Sequence, residues 1–268
     1  MTSLSAAIRQ ALLLTDPFAK VRATRALVRG WRRGDLAFAF DAEMPDRPGR
    51  PDRPELLPPN RMPKRGRGQS ERGRIALWHA LAHIEFVAID LALDMAGRFG
   101  AAMGREFVSD FLAVAADEAM HFVLIARHLR ELGAAYGDLP AHDGLWESAD
   151  ATRHDVAARL AVVPMVLEAR GLDVTPATIA RLSAAGDVIG TRILQRILDD
   201  EIRHVRFGSK HFAACAEARG DSAEILWKSL ISSHFRGLVK PPFNDSARAA
   251  AGLSRQMYAE VAMPVRAG

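Results

Sequence analysis

Two short stretches of this 268-residue chain share the pattern Asp-Glu-x-x-His: DEAMHF and, 83 residues later, DEIRHV. A strand would turn residues three apart to opposite faces, whereas an α-helix places them one turn apart on the same face. Glu118 with His121, and Glu201 with His204, can therefore each bind at one point. The doubled motif predicts two helices that each direct a carboxylate and an imidazole to the same place.

The offset of 83 also relates two glutamates that lie inside apolar runs, in AHIEFVAID and in PMVLEARG. Each of them stands 33 residues before the glutamate of the following motif. A constant spacing of this kind indicates an internal repeat of a helix pair. The repeat relates six residues: Glu85, Glu118 and His121 in the first copy, and Glu168, Glu201 and His204 in the second.

Four carboxylates facing one core would repel each other and lose their hydration, so they need compensating cations or bound protons. Two divalent ions supply four positive charges, and oxygen-rich donors with one nitrogen per metal favour iron or manganese over zinc. Bundles that bind two metals take a Glu-x-x-His from two helices and a lone Glu from each of the other two. We therefore predict two iron ions, or an iron and manganese pair, held by these six residues.

Four further positions share the offset: Asp117 with Asp200, and His128 with His211. The aspartates precede the ligands on a neighbouring helix face, so we interpret them as supporting or surface groups. We interpret the histidines as core or rim residues rather than ligands.

Composition favours helices, since Ala, Leu and Arg are abundant and only 7% of residues are aromatic. Long helical patterns run from about 74 to 99, from 105 to 132, and from 187 to 218. A fourth pattern lies between the last two of these ranges. It begins near Ala151 and is broken at GLDVTP. Four helices with one longer connection have the plan of a ferritin-like four-helix bundle. We predict an all-α fold of that class.

Three segments follow along the chain. Residues 1–73 hold a helical pair, interrupted at TDPF, and a Pro/Arg-rich arm from Pro45; residues 74–219 form the bundle; residues 220–268 form a C-terminal helix and a polar tail. The arm is either a linker or a segment that packs on the body and covers the entrance to a site. Together with the AHDGLW loop it is a candidate lid, with His142 and Trp146 facing the substrate.

Several other functional classes lack support. A single cysteine excludes an intrachain disulfide and a Cys-rich metal site, no Gly-rich phosphate loop or GxSxG elbow is present, and His79 with His83 lacks the Glu of an HExxH metalloprotease. A net charge of +4 is too small to indicate a nucleic-acid-binding protein. The arm also lacks aromatic residues between its arginines, on which bases could stack. We find no secretory signal and no apolar run of membrane-spanning length, so we expect a cytoplasmic protein.

The runs HALAHIEFVAIDLALDMAGRF, VAADEAMHF, YGDLPAHDGLWESA, VPMVLEARGLDVTP and LDDEIRHVRFG resemble a bacterial ferritin-like family catalogued as domain of unknown function 455. The resemblance covers nearly the whole chain, including the arm and the closing PPFNDSARAAAGLS. It implies a ferritin-like bundle with a di-metal carboxylate centre at the same six residues. It implies no reaction, because the wider superfamily supports many chemistries.

Our leading functional hypothesis is a non-haem di-iron oxidoreductase that activates dioxygen to oxidise or hydroxylate an organic substrate. Its expected partners are a small-molecule substrate or an electron-donor protein, with no membrane, with nucleic acid disfavoured, and as a monomer or homodimer. The break after Glu168 either opens a pocket beside a ligand or is an ordinary helix end. The alternatives are iron storage with ferroxidase activity, and a non-enzymatic protein in which metals only stabilise the fold.

Overall fold

A computed structural model describes residues 2–63 and 70–262 of the chain. Residues 64–69, which belong to the predicted arm, lie outside the described part. The chain divides into two compact units, Met1–Trp146 and Glu147–Gly268. Nearly all regular structure is helical, which confirms the all-α prediction.

The first unit begins with a short helical pair. Helix α1 spans Leu4–Leu12, and helix α2 spans Pro17–Arg33. The side chain of Asp16 accepts a hydrogen bond from the backbone N–H of Ala19 at 2.6 Å and caps α2, as the TDPF break predicts. Two short strands, β1 (Thr2–Ser3) and β2 (Leu36–Ala37), pair in parallel beside the helices.

Helix α3, Glu71–Glu131, consists of two helical segments joined at Gly104, where φ is 88° and ψ is 179°. Only glycine adopts this backbone region readily. The segments run back along each other, because Trp78 lies 4.6 Å from His128 and Phe86 lies 5.5 Å from Phe122, measured between ring centroids. The first predicted helix pair is therefore a hairpin, which we call the first hairpin.

By length and composition alone, α3 contains an 18-residue window that is apolar enough to cross a membrane. The window is 67% buried inside the protein, as expected for a core helix.

The described part of the arm packs on the first unit and is not an unattached linker. The guanidinium of Arg98 donates to the carbonyl of Pro45 at 3.1 Å. Further along, the arm and the 134–143 loop exchange backbone hydrogen bonds: Leu57 N–H donates to Ala141 at 2.8 Å, and Ala141 N–H donates to Glu55 at 2.9 Å. A 3₁₀ turn, Pro59–Arg61, ends this stretch.

A buried ionic cluster connects α2, the arm and α3. Lys20 Nζ lies 2.6 Å from Asp90 Oδ1 and also donates to the carbonyl of Gly49 at 2.9 Å. Arg50 pairs with the second oxygen of Asp90, and neither Lys20 nor Asp90 is exposed. Burial lowers the pKa of Lys20, and Asp90 opposes that shift. Both carboxylate oxygens of Asp90 are thus satisfied by cations from outside the hairpin.

The second unit consists of helices apart from its connections. They are α4 (Gly144–Ala151, across the boundary of the units), α5 (Val156–Val162), a π-helical turn (Val163–Glu168), α6 (Ala169–Ala184), α7 (Val188–Arg219), α8 (Ala223–His234), α9 (Asp245–Ala250) and α10 (Arg255–Ala259). Helices α6 and α7 form a hairpin that turns at Gly186, and we call the chain from α5 to α7 the second hairpin. The predicted fourth and C-terminal helices are confirmed as α7 and α8.

Three local predictions in this part were wrong. The predicted break at Gly171–Pro176 is absent, because α6 continues through Pro176 while Arg248 and Asn244 hold Asp173 in the helix. The AHDGLW loop contains α4, which buries Trp146. The polar tail contains α9 and α10, stabilised by buried Met257 and Tyr258.

Candidate metal centre

The first hairpin brings three of the predicted ligands together. Glu85 lies on its first segment, and Glu118 and His121 lie one turn apart on its second segment. One ligand atom from each of the three lies within 4.8 Å of those of the other two. His121 Nδ1 is 3.3 Å from Glu85 Oε2 and 3.3 Å from Glu118 Oε2. Because the two segments are antiparallel, Glu85 and Glu118 meet in one cluster although they are 33 residues apart in the sequence.

The three side chains are buried, with exposed fractions of 5% for Glu85, 1% for Glu118 and 0% for His121. Burial raises the pKa of Glu85 well above its usual value, and the neighbouring charge of Glu118 raises it further. Two carboxylates and an imidazole therefore share a buried point at which negative charge is unfavourable. A cation at that point relieves both the repulsion and the desolvation.

Two histidines attach the loop after the first hairpin to its first segment. His83 Nδ1 lies 3.0 Å from the hydroxyl of Tyr136, and its Nε2 lies 3.2 Å from the carbonyl of His142. His79 Nε2 accepts backbone hydrogen bonds from Gly137 at 3.0 Å and Leu139 at 3.3 Å, so this nitrogen is unprotonated. Burial lowers the pKa of His79 and takes the pKa of His83 to about 4. Both histidines therefore support the fold around the cluster.

Tyr136 was not predicted from the sequence, because it lies in a loop without a periodic pattern. Its ring packs 5.5 Å from Phe86 and 5.2 Å from Phe122, the residues that follow Glu85 and His121. Burial raises the pKa of its hydroxyl. Tyr136 thus closes the first hairpin at the level of the cluster.

A cavity of about 610 Å³ lies in the first unit between α3, the arm and the loop. Its apolar walls are Pro59, Met62 and Pro63 from the arm, Ile75, Ala76 and Ala80 from α3, and Leu139 and Pro140 from the loop. His79 and His142 also line it, whereas Trp146 is buried in α4 and does not. The structure thus places the arm and the loop on one pocket. Their role as a lid and that of His142 as a substrate contact stay predictions, whereas buried Trp146 does not face this pocket.

The second hairpin carries the other three predicted ligands. Glu201 Oε1 lies 3.5 Å from His204 Nδ1 on α7, and His204 is fully buried. Glu168 is half-buried and ends the π-helical turn. Among the described residues of this unit, 147–262, no three ligand-type side chains reach the proximity seen in the first hairpin.

The remaining offset partners fall outside this set of ligands. Asp200 is buried and pairs with the exposed Arg196 at 2.6 Å and Arg203 at 3.2 Å, so it is a supporting ion-pair group. His128 packs edge-on against Trp78, and its Nδ1 is 3.6 Å from Glu131. Both interpretations made from the sequence agree with these contacts.

One repeated pair escaped the sequence analysis although the offset could have revealed it. Asp90 and Asp173 are also 83 residues apart, and each lies five residues after the lone glutamate of its hairpin. Asp173 forms a buried two-pronged pair with Arg248 of α9, with N–O distances of 2.8 and 2.7 Å. Each hairpin therefore receives one buried cation from an element outside it, Lys20 in the first unit and Arg248 in the second.

Comparison with known proteins adds a family but no activity. Residues 13–259 match the family described as "Protein of unknown function (DUF455)". The chain belongs to this family. An "Uncharacterized protein" of Haemophilus influenzae is 43% identical to this DUF455 chain over 211 residues, which is 76% of the chain and 73% of the relative. No solved structure matches the chain.

The residues of the DUF455 chain fit a hard or borderline divalent metal. The first hairpin supplies two carboxylate oxygens and one imidazole nitrogen at one buried point, a donor set that suits iron or manganese. The free cysteine, Cys215, is buried on α7 and lies outside the cluster. The fit rests on the donor atoms and their burial.

Proposed function

We propose that the protein is a ferritin-like four-helix bundle that binds two metal ions, most simply iron, and uses them to oxidise or hydroxylate an organic substrate. The observation that carries the proposal is the buried cluster of Glu85, Glu118 and His121 in the first hairpin. The sequence repeats the same three residue types in the second hairpin as Glu168, Glu201 and His204. The proposal unites the two sets in one di-metal centre.

A bound pair of iron ions supplies the redox chemistry that reduces dioxygen, with further electrons from a donor protein. The chain contributes the ligands, because Glu85, Glu118 and His121 converge at one buried point. The aromatic rings of Phe86, Phe122 and Tyr136 exclude water from this side of the cluster. Such exclusion strengthens electrostatic interactions inside the site.

The cavity supports an organic substrate over iron storage. It is large enough for a small molecule, and its walls are mainly apolar. It reaches His79, which lies six residues before Glu85 on the same helix, about 9 Å along the axis at 1.5 Å per residue. We assign this cavity to the substrate, with His142 offering a polar contact.

Metal analysis tests the proposal directly. We expect about two metals per chain after anaerobic loading with Fe(II), oxygen uptake on exposure to air, and a Mössbauer signature of a coupled ferric pair. Less than about half a metal per chain would contradict the di-metal site. An iron load far above two per chain, with a closed multi-subunit shell in light scattering, would support storage instead.

Two variants locate the metals. Glu118→Ala removes a buried ligand, and we expect it to lose metal while retaining its helical circular dichroism. Glu106→Ala is the matched control, because it removes an exposed carboxylate from the same segment of α3. Equal metal content in the two variants would show that Glu118 is not a ligand.

A further inference from the structure

Helix α2 carries five exposed arginines on one face: Arg22, Arg25, Arg29, Arg32 and Arg33. Their spacing of three, four, three and one keeps them within about 100° around the helix axis. Helix α2 contains no acidic residue. Among the described residues, the first four have no carboxylate within ion-pair distance, and Arg33 pairs with exposed Asp35. We call this face the arginine stripe.

The opposite face of α2 is fixed in the first unit. Val21, Thr24, Leu27 and Val28 are buried, and Lys20 forms the buried pair with Asp90. The helix cannot turn its apolar residues outward without breaking these contacts. A membrane-surface helix needs that apolar face to insert between lipids, so the arginine stripe does not have the features of a membrane anchor.

Aromatic rings lie at the C-terminal end of the stripe. Phe38 is 38% exposed, and its ring centroid is 6.2 Å from that of Trp31. Arg105 lies over both rings, 4.6 Å from Trp31 and 5.2 Å from Phe38. Trp31 Nε1 donates to the hydroxyl of Ser109 at 3.0 Å, which fixes the indole. A cleft of about 330 Å³ beside these rings is lined by Trp31, Arg32, Arg105 and Ser109.

We propose that the arginine stripe and this aromatic end form a binding surface for single-stranded nucleic acid. Proteins bind single strands with a row of cations along the phosphates and exposed rings on which bases stack. The stripe covers about 16 Å of helix, enough for a few nucleotides. Helix α7 lacks such a row of unpaired arginines, because its Arg196 and Arg203 both pair with Asp200.

The proposal revises our sequence-based expectation, which considered net charge and the arm rather than one face of α2. It does not depend on the metal centre. Double-stranded nucleic acid is a weaker fit, since a paired base offers no free face to Phe38.

Binding of fluorescein-labelled U20 RNA and T20 DNA to the full-length protein tests this surface by anisotropy. Four phosphate contacts predict that the affinity falls about 50-fold between about 50 and 200 mM NaCl. The variant R22Q/R25Q/R29Q/R32Q is expected to bind at least about 30-fold more weakly at low salt and to lose most of this salt dependence. Phe38→Leu, which keeps an apolar side chain, is expected to weaken binding about fivefold without changing the salt dependence.

The matched control R61Q/R181Q/R192Q/R236Q removes four exposed arginines at scattered positions and is expected to bind like the wild type. Circular dichroism establishes that both quadruple variants are folded. Equal losses in the two would reduce the effect to net charge and overturn the proposal. It is also overturned if the wild type fails to bind either single strand, if a 20-base-pair duplex binds as tightly, or if phosphatidylserine vesicles bind in preference.

Discussion

The two hairpins carry the same ligand types at an offset of 83 residues, but they hold them differently. In the first hairpin, Glu85, Glu118 and His121 are buried and already clustered. In the second, Glu201 and His204 lie side by side, whereas half-buried Glu168 ends a π-helical turn. Such turns interrupt the regular hydrogen-bond ladder and occur frequently at functional sites. The comparison indicates that the first hairpin holds its half of the ligands in a preformed cluster, whereas the second hairpin holds Glu168 on a turn that can adjust.

A second shared feature is the buried aspartate five residues beyond each lone glutamate. Asp90 receives Lys20 from α2 and Arg50 from the arm, and Asp173 receives Arg248 from α9. Each pair ties the ligand-bearing helix to a segment that flanks the repeat. The ion pairs therefore hold both hairpins in place, and four predictions test how far the likeness extends.

The largest effect is expected from breaking these ion pairs. Asp90→Ala and Asp173→Ala each leave a buried cation without its partner and should reduce the free energy of unfolding by about 3–5 kcal/mol. Asp90→Ala should be the more severe, because it affects two cations. Urea unfolding measures both. The exposed Asp35→Ala serves as control, with an expected cost below about 1 kcal/mol. A cost for Asp90→Ala as small as the control's would show that the pair does not hold the hairpin.

The next largest effect is expected from removing a metal ligand, and its size should differ between the two hairpins. Glu85→Ala opens the preformed cluster, and we expect its affinity for Fe(II) to fall more than about 100-fold, beyond the range for groups that only orient a ligand. Glu168→Ala should weaken binding about tenfold, because the adjustable turn lets another oxygen or water replace the carboxylate. Anaerobic metal titration compares the two. The reverse order would show that the second hairpin holds the metals more firmly.

Stability without metal should reveal the cost of the preformed cluster. Glu118→Gln removes one of two buried negative charges and should raise the free energy of unfolding of the metal-free protein by about 1–3 kcal/mol. Glu168→Gln is expected to change it by less than about 0.5 kcal/mol, because that side chain is half-buried. Thermal unfolding in a chelator measures both variants. Destabilisation by Glu118→Gln would mean that the carboxylate is compensated by the protein itself.

The smallest effect concerns the turns of the hairpins. Gly104 combines a φ of 88° with a ψ of 179°, a region open only to glycine, so Gly104→Asn should cost about 1–3 kcal/mol. Gly186 has φ of 74° and ends α6, where Asp187 N–H donates to Leu182 at 3.0 Å. Asparagine is tolerated at such a helix end, so Gly186→Asn should cost less than about 0.5 kcal/mol. Chemical denaturation resolves this difference, and equal costs would contradict it.

Much of this protein follows from its sequence because helical spacing and the internal repeat are local properties. The all-α class, the α2 cap at Asp16, the α7 boundaries and the pairing of Glu118 with His121 needed only periodicity and a motif. The same offset also contained Asp90 and Asp173, which the sequence analysis overlooked. The π-helical turn at Val163–Glu168 and the continuation of α6 through Pro176 were not predictable, since packing against distant residues outweighs local propensity there.

The sequence by itself determined which residue types recur, at what spacing, and hence which side chains share a helix face. Only the tertiary structure decided that Gly104 folds α3 back on itself and brings Glu85 within reach of His121. It also decided that the arm packs against the loop, that Tyr136 closes the first hairpin, and that four of the five arginines of the stripe lie beyond ion-pair distance of any described carboxylate. These outcomes depend on contacts between residues far apart in the chain, and burial and charge pairing at those contacts have no signature in a local pattern.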